Sequence, residues 1–232
     1  MLFIREARAV GRGVLGVALA VGLAALTIAA TAARERNTPV AKPDSTAPAF
    51  TPPEVGDTRT NLRAAFTNEM NAKTRYEAWA RQADREGYPY VAQLFRACAR
   101  AEQIHADRHV HAIAWVGGEA RAVLEHLVTG TTQENLRRAV EFETYEATQL
   151  YPAMVERARA DRQPEAVRSM NFALATEREH ARLFATALET LGQRLPPRAI
   201  YVCPFCGKTT EALGFAKCPS CFTPARRFIR VT

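Results

Sequence analysis

Before residue 200 the sequence has no run of strand-like alternation, which argues against a core built from sheets. It has no Lys/Arg stripe with interleaved aromatics either, although the net charge is +7. That absence argues against nucleic-acid binding, and a generally basic surface accounts for the charge. Cysteine is scarce and unevenly placed: of five in 232 residues, four form two close pairs near the C-terminus. A disulfide-stapled domain spreads its cysteines out, so the placement points to a metal site instead. Cys98 stands alone in a helical pattern and reads as a buried, inert thiol.

What is present begins with a basic start. Arg5, Arg8 and Arg12 face a single acid, Glu6, and an uncharged Ala/Val/Leu/Gly run follows from Gly13 to about Ala33. These are the marks of a secretory signal or an N-terminal membrane anchor. Ala30-Thr31-Ala32 has cleavage-site spacing, but the run approaches the ~20 residues that span a bilayer, which favours a retained anchor. Either way the rest of the chain is expected on the extracytoplasmic, periplasm-like side, although Arg34 and Arg36 weaken the charge bias that sets orientation. Residues 34–57 carry Pro39, Pro43, Pro48, Pro52 and Pro53 without apolar periodicity, a semi-rigid tether.

Helical periodicity then takes over. Leu62, Ala65, Phe66, Glu69, Met70, Lys73, Tyr76 and Ala80 recur at three- and four-residue steps until Gly87 closes the helix. A second helix, about Pro89 to Val116, carries Val91, Leu94, Phe95, Cys98, Glu102 and His105 on one stripe, with His109 on or near it. A short helical turn is expected at Val123-Leu124. The third helix starts near Thr132 or Gln133 with Leu136, Ala139, Val140, Glu143, Glu146 and Leu150, and Pro152 predicts a kink or local break. The fourth runs from Pro164 through Val167, Met170, Leu174, Glu177, His180, Phe184 and Leu188. Short links make helices one and two, and three and four, antiparallel neighbours. The link between the pairs, ~16 residues, reaches ~50 Å when extended, the length of a bundle helix. The expected fold is mainly α: a ferritin-like four-helix bundle with one long crossover over residues 58–195. A small metal domain of zinc-ribbon type is expected over 196–232.

Each helix puts ligand-type side chains on its apolar stripe. Glu69 stands alone; Glu102 precedes His105, Glu143 precedes Glu146, and Glu177 precedes His180 by three residues, which sets each pair on one face. One E-x-x-H motif in a chain with 24% charged residues would be a solvated surface feature. Here every long helix contributes, and carboxylates gathered in a core repel one another unless cations neutralise them. Oxygen ligands with one imidazole per metal suit two iron or manganese ions. His109, His111 and His126 read as surface or outer-lying histidines, and Glu141, on another face, as solvated.

The stretches Thr60-Asn-Leu-Arg-Ala-Ala-Phe-Thr-Asn-Glu69 with Arg75-Tyr76, Ala101-Glu-Gln-Ile-His-Ala106, Glu134 to Glu146 with Leu150-Tyr-Pro152, and Glu177-Arg-Glu-His180 resemble the rubrerythrin family in order, spacing and accompanying aromatics. The resemblance covers about residues 58–232. It implies a di-iron centre held by Glu69, Glu102, His105, Glu143, Glu146, Glu177 and His180, with Glu102 and Glu177 bridging. It further implies that one iron moves between His105 in the reduced form and Glu146 in the oxidised form. Tyr76 and Tyr151 match family tyrosines that line the pocket; aromatic packing with a satisfied hydroxyl is the alternative. A glycine commonly precedes the first- and third-helix glutamates in the family. Asn68 and Phe142 stand there here, bulk that would reshape the pocket without removing a ligand.

Near the C-terminus, Cys203-x-x-Cys206 and Cys218-x-x-Cys221 form two knuckles suited to one tetrahedral metal, iron or zinc. The loop between them is shorter than in free-standing rubredoxins, and Lys208 stands where an aromatic is usual. The resemblance implies that residues 196–232 form a rubredoxin-like domain and favours iron, which can pass an electron as zinc cannot. The implied activity is reduction of hydrogen peroxide to water, in defence against oxidative stress. Electrons would come from an outside donor, a reductase or rubredoxin, through the four-cysteine iron. A homodimer is expected on the view that one chain's own two sites lie far apart. The alternatives are a ferritin-like Fe(II)-oxidising, iron-binding protein and a structural bundle with a zinc ribbon.

Overall fold

The structure, a computed structural model, describes residues 55–232. The N-terminal apolar segment and most of the proline-rich tether lie outside the described residues. Among those residues no helix is long and apolar enough to cross a membrane. The bundle consists of α1 (Thr58–Arg85), α2 (Pro89–Trp115), α3 (Thr132–Tyr145), α4 (Tyr151–Ala160) and α5 (Pro164–Glu189). A π-helical turn at Glu146–Leu150 joins α3 to α4, so the two make one interrupted long helix. Three short strands follow, β1 (Ile200–Val202), β2 (Thr209–Thr210) and β3 (Ile229–Val231), in an antiparallel sheet of order β2-β1-β3.

Local chemistry sets the helix ends. The Asp57 carboxylate accepts the Thr60 amide at 2.8 Å, and Thr131 with Glu134 forms a reciprocal capping box. Gly87, at φ +75°, ends α1 in the left-handed region that glycine enters without steric cost. Pro152 lacks the N–H that would bond the carbonyl four residues back. One residue earlier the backbone widens, and the Tyr151 N–H reaches Glu146 O, five residues back. The expected break is therefore a π-turn.

The crossover from Val116 to Thr131 runs beside α1 as irregular chain. The turn expected at Val123-Leu124 is not helical: both side chains are exposed, so no apolar face drives one. Instead α1 takes the backbone groups a helix would use. Asn71 donates to Val123 O and accepts from the Glu125 amide, and the Trp79 indole donates to Val128 O. At its far end the Thr132 amide bonds Glu86 near the end of α1, so the crossover spans the bundle as a ferritin-like fold requires.

The core divides along the bundle. One apolar cluster gathers Tyr76, Trp79, Phe95, Cys98, Leu136 and Phe184; another gathers Leu62, Ile113, Leu150, Tyr151, Met154 and Met170. Between them, at the level of Glu69, Glu102, Glu143 and Glu177, the interior is polar.

Candidate metal centres

Glu69, Glu102, His105, Glu143, Glu177 and His180 are each at most 1% exposed, and Glu146 is 8% exposed. Their ligand-type atoms form two overlapping groups, Glu69/Glu102/His105/Glu177 and Glu102/Glu143/Glu177/His180, with all atoms of a group within 4.8 Å. Glu102 and Glu177 belong to both. Glu146 lies in neither, although it is close enough for the charges of Glu69 and Glu143 to act on it. His105 Nδ1 is 2.9 Å from Glu102 Oε2 and 3.1 Å from Glu177 Oε1. His180 Nδ1 is 3.0 Å from Glu177 Oε2 and 3.1 Å from Glu102 Oε1.

So dense a set of buried carboxylates cannot ionise together unaided. Burial first, then the nearby Glu102, pushes Glu177 up to about 8. Burial, with Glu69 and Glu143 beside it, pushes Glu146 well above the carboxylate range. Burial works against charge on both imidazoles, yet Glu177, Glu69 and Glu102 around His105, and Cys98, Glu102 and Glu143 around His180, hold both well above the usual histidine range. Metal ions fit this donor set. Glu102 Oε1, Glu143 Oε2, both Glu177 oxygens and His180 Nδ1 are buried and, despite those close N···O approaches, make no aligned hydrogen bond, which a native interior seldom tolerates. Those orphaned atoms converge where two cations would sit, and hard oxygen donors with one nitrogen each suit iron.

Two tyrosines secure the outer carboxylates. Tyr76 OH donates to Glu143 Oε1 and Tyr151 OH to Glu69 Oε1. Both hydroxyls are fully buried, and burial raises their pKa well above the phenol range, so both stay donors. Cys98 is buried against His180, and its thiol is pushed up to about 12, chiefly by burial. Phe142, the bulky neighbour of Glu143, lies under the Arg75 guanidinium, 4.5 Å from its ring centroid. His111, His126 and Glu141 are exposed, as expected.

His109 takes the outer-lying of the two places expected for it, outside both metal groups. It is fully buried, with Nε2 3.2 Å from Tyr151 OH and Nδ1 2.9 Å from Ser169 Oγ. Its position four residues beyond His105, on the stripe that already carries Glu102, was the available signal. Ser169 gave none.

The four cysteine sulfurs also lie within 4.8 Å of one another. The two knuckles repeat one backbone pattern: Gly207 N–H bonds Cys203 O, and Phe222 N–H bonds Cys218 O. Both donors have positive φ, +76° for Gly207 and +61° for Phe222. Cys203 is drawn down to about 5, first by the Cys206 thiol and then by amide hydrogen bonds from Cys206 and Phe205. Such amides stabilise thiolate and so favour metal binding.

The two centres are in direct contact within one chain. His105 Nε2 is 3.2 Å from the Cys206 carbonyl, and His180 Nε2 is 3.0 Å from Thr209 Oγ1, whose hydroxyl donates to Gly207 O. Each imidazole thus faces the carboxylates through Nδ1 and the cysteine domain through Nε2, which fixes ring orientation and tautomer. A side chain at Gly207 would put its Cβ 2.3 Å from His105 Nε2, so only glycine allows this approach. The expectation that the two sites of one chain lie far apart is therefore wrong. Apolar packing between α2 and β1, with Ile200 and Val202 buried in the bundle's own core cluster, brings them together.

A bundle with two carboxylate-bridged metal positions beside a four-cysteine knuckle defines a class: a ferritin-like di-metal protein with its own one-metal neighbour. The rubrerythrin family model matches residues 60–188. Rubrerythrin-2 of Clostridium acetobutylicum is 33% identical over 171 residues, 72% of this chain and 92% of that protein. Nigerythrin of Nitratidesulfovibrio vulgaris is 31% identical over 75% of this chain and 86% of its own. A solved structure of partially reduced nigerythrin superposes with a TM-score of 0.71 over 79% of this chain and 90% of that one. The chain belongs to the rubrerythrin family. The family binds a di-iron centre and an iron at a cysteine site, and the two clusters described above match both.

Proposed function

We propose that the chain reduces hydrogen peroxide to water at a di-iron centre and is recharged, one electron at a time, through the iron at Cys203, Cys206, Cys218 and Cys221. The observation that carries this reading is the hydrogen bond between His105 Nε2 and the Cys206 carbonyl. It joins a residue of one cage directly to a residue of the other, a contact that storage of iron does not need.

Glu69, Glu102, His105 and Glu177 would hold one iron, and Glu102, Glu143, Glu177 and His180 the other, with Glu102 and Glu177 bridging. The pair would supply the two electrons that cleave the O–O bond. The protein's part is to hold, orient and protect. Tyr76 and Tyr151 keep the outer carboxylates in fixed rotamers, and the two apolar clusters exclude bulk water. Glu146, buried beside the cage and outside both four-residue groups, suits a carboxylate that engages in one oxidation state only, in exchange with His105. The basic start and apolar run support an anchored or exported protein, with the bundle on the extracytoplasmic side. The contact between the two sites of one chain leaves a homodimer without its expected reason, and relay does not require one.

The test is to reduce the iron-loaded protein without oxygen and compare its oxidation by hydrogen peroxide and by oxygen. Peroxide should be much the faster oxidant. A strong preference for oxygen, with iron accumulating beyond the bound pair, would instead assign an Fe(II)-oxidising role. Cys206→Ser should allow one peroxide-driven oxidation and no sustained turnover.

A further inference from the structure

We propose that Ser169, His109 and Tyr151 form a proton path from the protein surface to the Glu69 side of the metal cage. Resting on the peroxide-reducing reading, the path would supply what the reaction consumes: hydrogen peroxide, two electrons and two protons give two waters.

The geometry gives the path a direction. The single proton of Tyr151 OH is donated to Glu69 Oε1. The tyrosine oxygen must then accept from His109 Nε2–H, 3.2 Å away. That tautomer leaves Nδ1 as an acceptor, and Ser169 Oγ, 2.9 Å from it, is the donor. Every hydrogen bond in the series therefore points inward, ending on a carboxylate of the cage. His109 and Tyr151 are fully buried, and Ser169 is 6% exposed. Ser169 lines a surface cavity of about 220 Å³, with Arg108, His111, Glu165 and Arg168 among its other walls. Water there can give a proton to Ser169 Oγ while the hydroxyl proton passes to His109 Nδ1. The Nε2 proton then moves to Tyr151, and the phenolic proton to Glu69. Only O–H and N–H bonds form and break, no electron moves, and each group that gives a proton takes one. Rotation of the hydroxyls and a flip of the His109 ring, which exchanges its two nitrogens, reset the series. On the opposite side of the cage, Tyr76 is backed by the rings of Trp79, Phe95 and Phe184, which can pass no proton.

The path is tested on the full chain with two readouts. The first is single-turnover oxidation of the reduced, iron-loaded protein by hydrogen peroxide in H2O and in D2O. Ser169→Ala should slow it by about tenfold or more and enlarge the solvent isotope effect, and Ser169→Thr should restore both. His109→Gln keeps a donor for Tyr151 but cannot hand a proton on, so it should be equally slow with its iron content unchanged. The second readout is solvent exchange of the His109 ring N–H in the metal-free protein, followed by ¹⁵N NMR. Ser169→Ala should slow that exchange too. Wild-type oxidation rate, isotope effect and exchange in Ser169→Ala would overturn the path. If exchange responds as expected while the wild-type protein ignores peroxide, the path stands and the proposed reaction falls.

Discussion

Behind Tyr76, on the His180 side of the cage, Trp79, Phe95 and Phe184 close the interior with ring centroids 5.1–5.7 Å apart. Behind Tyr151, on the His105 side, stand His109 and Ser169 and then a cavity open to solvent. In front the two sides match: one imidazole Nδ1, one carboxylate held by a tyrosine hydroxyl, and the shared Glu102 and Glu177. Near-equivalent donor sets can thus be given different tasks by what lies behind them. The side with a polar back can trade protons with water, whereas both sides reach the cysteine domain, through His105 Nε2 and His180 Nε2.

The bluntest way to break the comparison is to remove what both sides share. Glu177→Ala should strip iron from both positions and leave the cysteine-site iron in place, whereas Glu69→Ala or Glu143→Ala should weaken one position. Elemental analysis after anaerobic loading distinguishes these outcomes.

Protons sharpen it next. Glu177 keeps its proton up to about pH 8 in the absence of metal, and a bound cation must displace it. Apparent affinity for Zn(II) or Fe(II) should rise between pH 6 and 8, by up to about tenfold per pH unit for each proton displaced, and level off above. The same shift acts on folding. Between the ordinary value of 4.5 and about 8, the folded metal-free protein binds a proton that the unfolded chain has released. Its stability therefore falls as pH rises through that window. Thermal melts of metal-free protein at pH 5 and pH 8 should show a lower Tm at pH 8, a difference that bound metal removes.

Smaller effects separate the two tyrosines. Tyr76→Phe deprives Glu143 of its donor and should cost about 1–2 kcal/mol in urea unfolding of the metal-free protein. Tyr151→Phe should cost less, because His109 Nε2 lies 3.5 Å from Glu69 Oε1 and can take over. The smallest change is Cys98→Ala beside His180. Losing a buried sulfur should cost about 1 kcal/mol and leave iron content unchanged.

The bundle, its crossover and the six residues that gather in the two carboxylate-histidine groups were legible because their signals are local. A Glu and a His three residues apart on an apolar stripe declare a shared face, and Cys-x-x-Cys declares a knuckle. Pro152 likewise announced a break, since a missing N–H has a fixed consequence. What could not be read depends on which elements meet. Val123-Leu124 stays irregular because Asn71 and Trp79, some fifty residues earlier, engage the backbone around it. Ser169 looks like any helix serine until α2 sets His109 against it. The approach of Gly207 to His105 exists only once β1 has packed on α2.

The π-turn at Glu146–Leu150 shifts phase as well as shape. In an unbroken helix Tyr151 would lie ~140° around the axis from Glu146, at ~100° per residue. The widened turn absorbs one residue, so Tyr151 falls nearly in line with the glutamate five positions before it. The long helix therefore reads in two frames: the first aims Glu143 and Glu146 at the cage, and the second aims Tyr151 at Glu69. Deleting a single residue from the turn would let a regular helix run through with the tyrosine four positions after Glu146, so everything after it would keep its face and only the bulge would be lost.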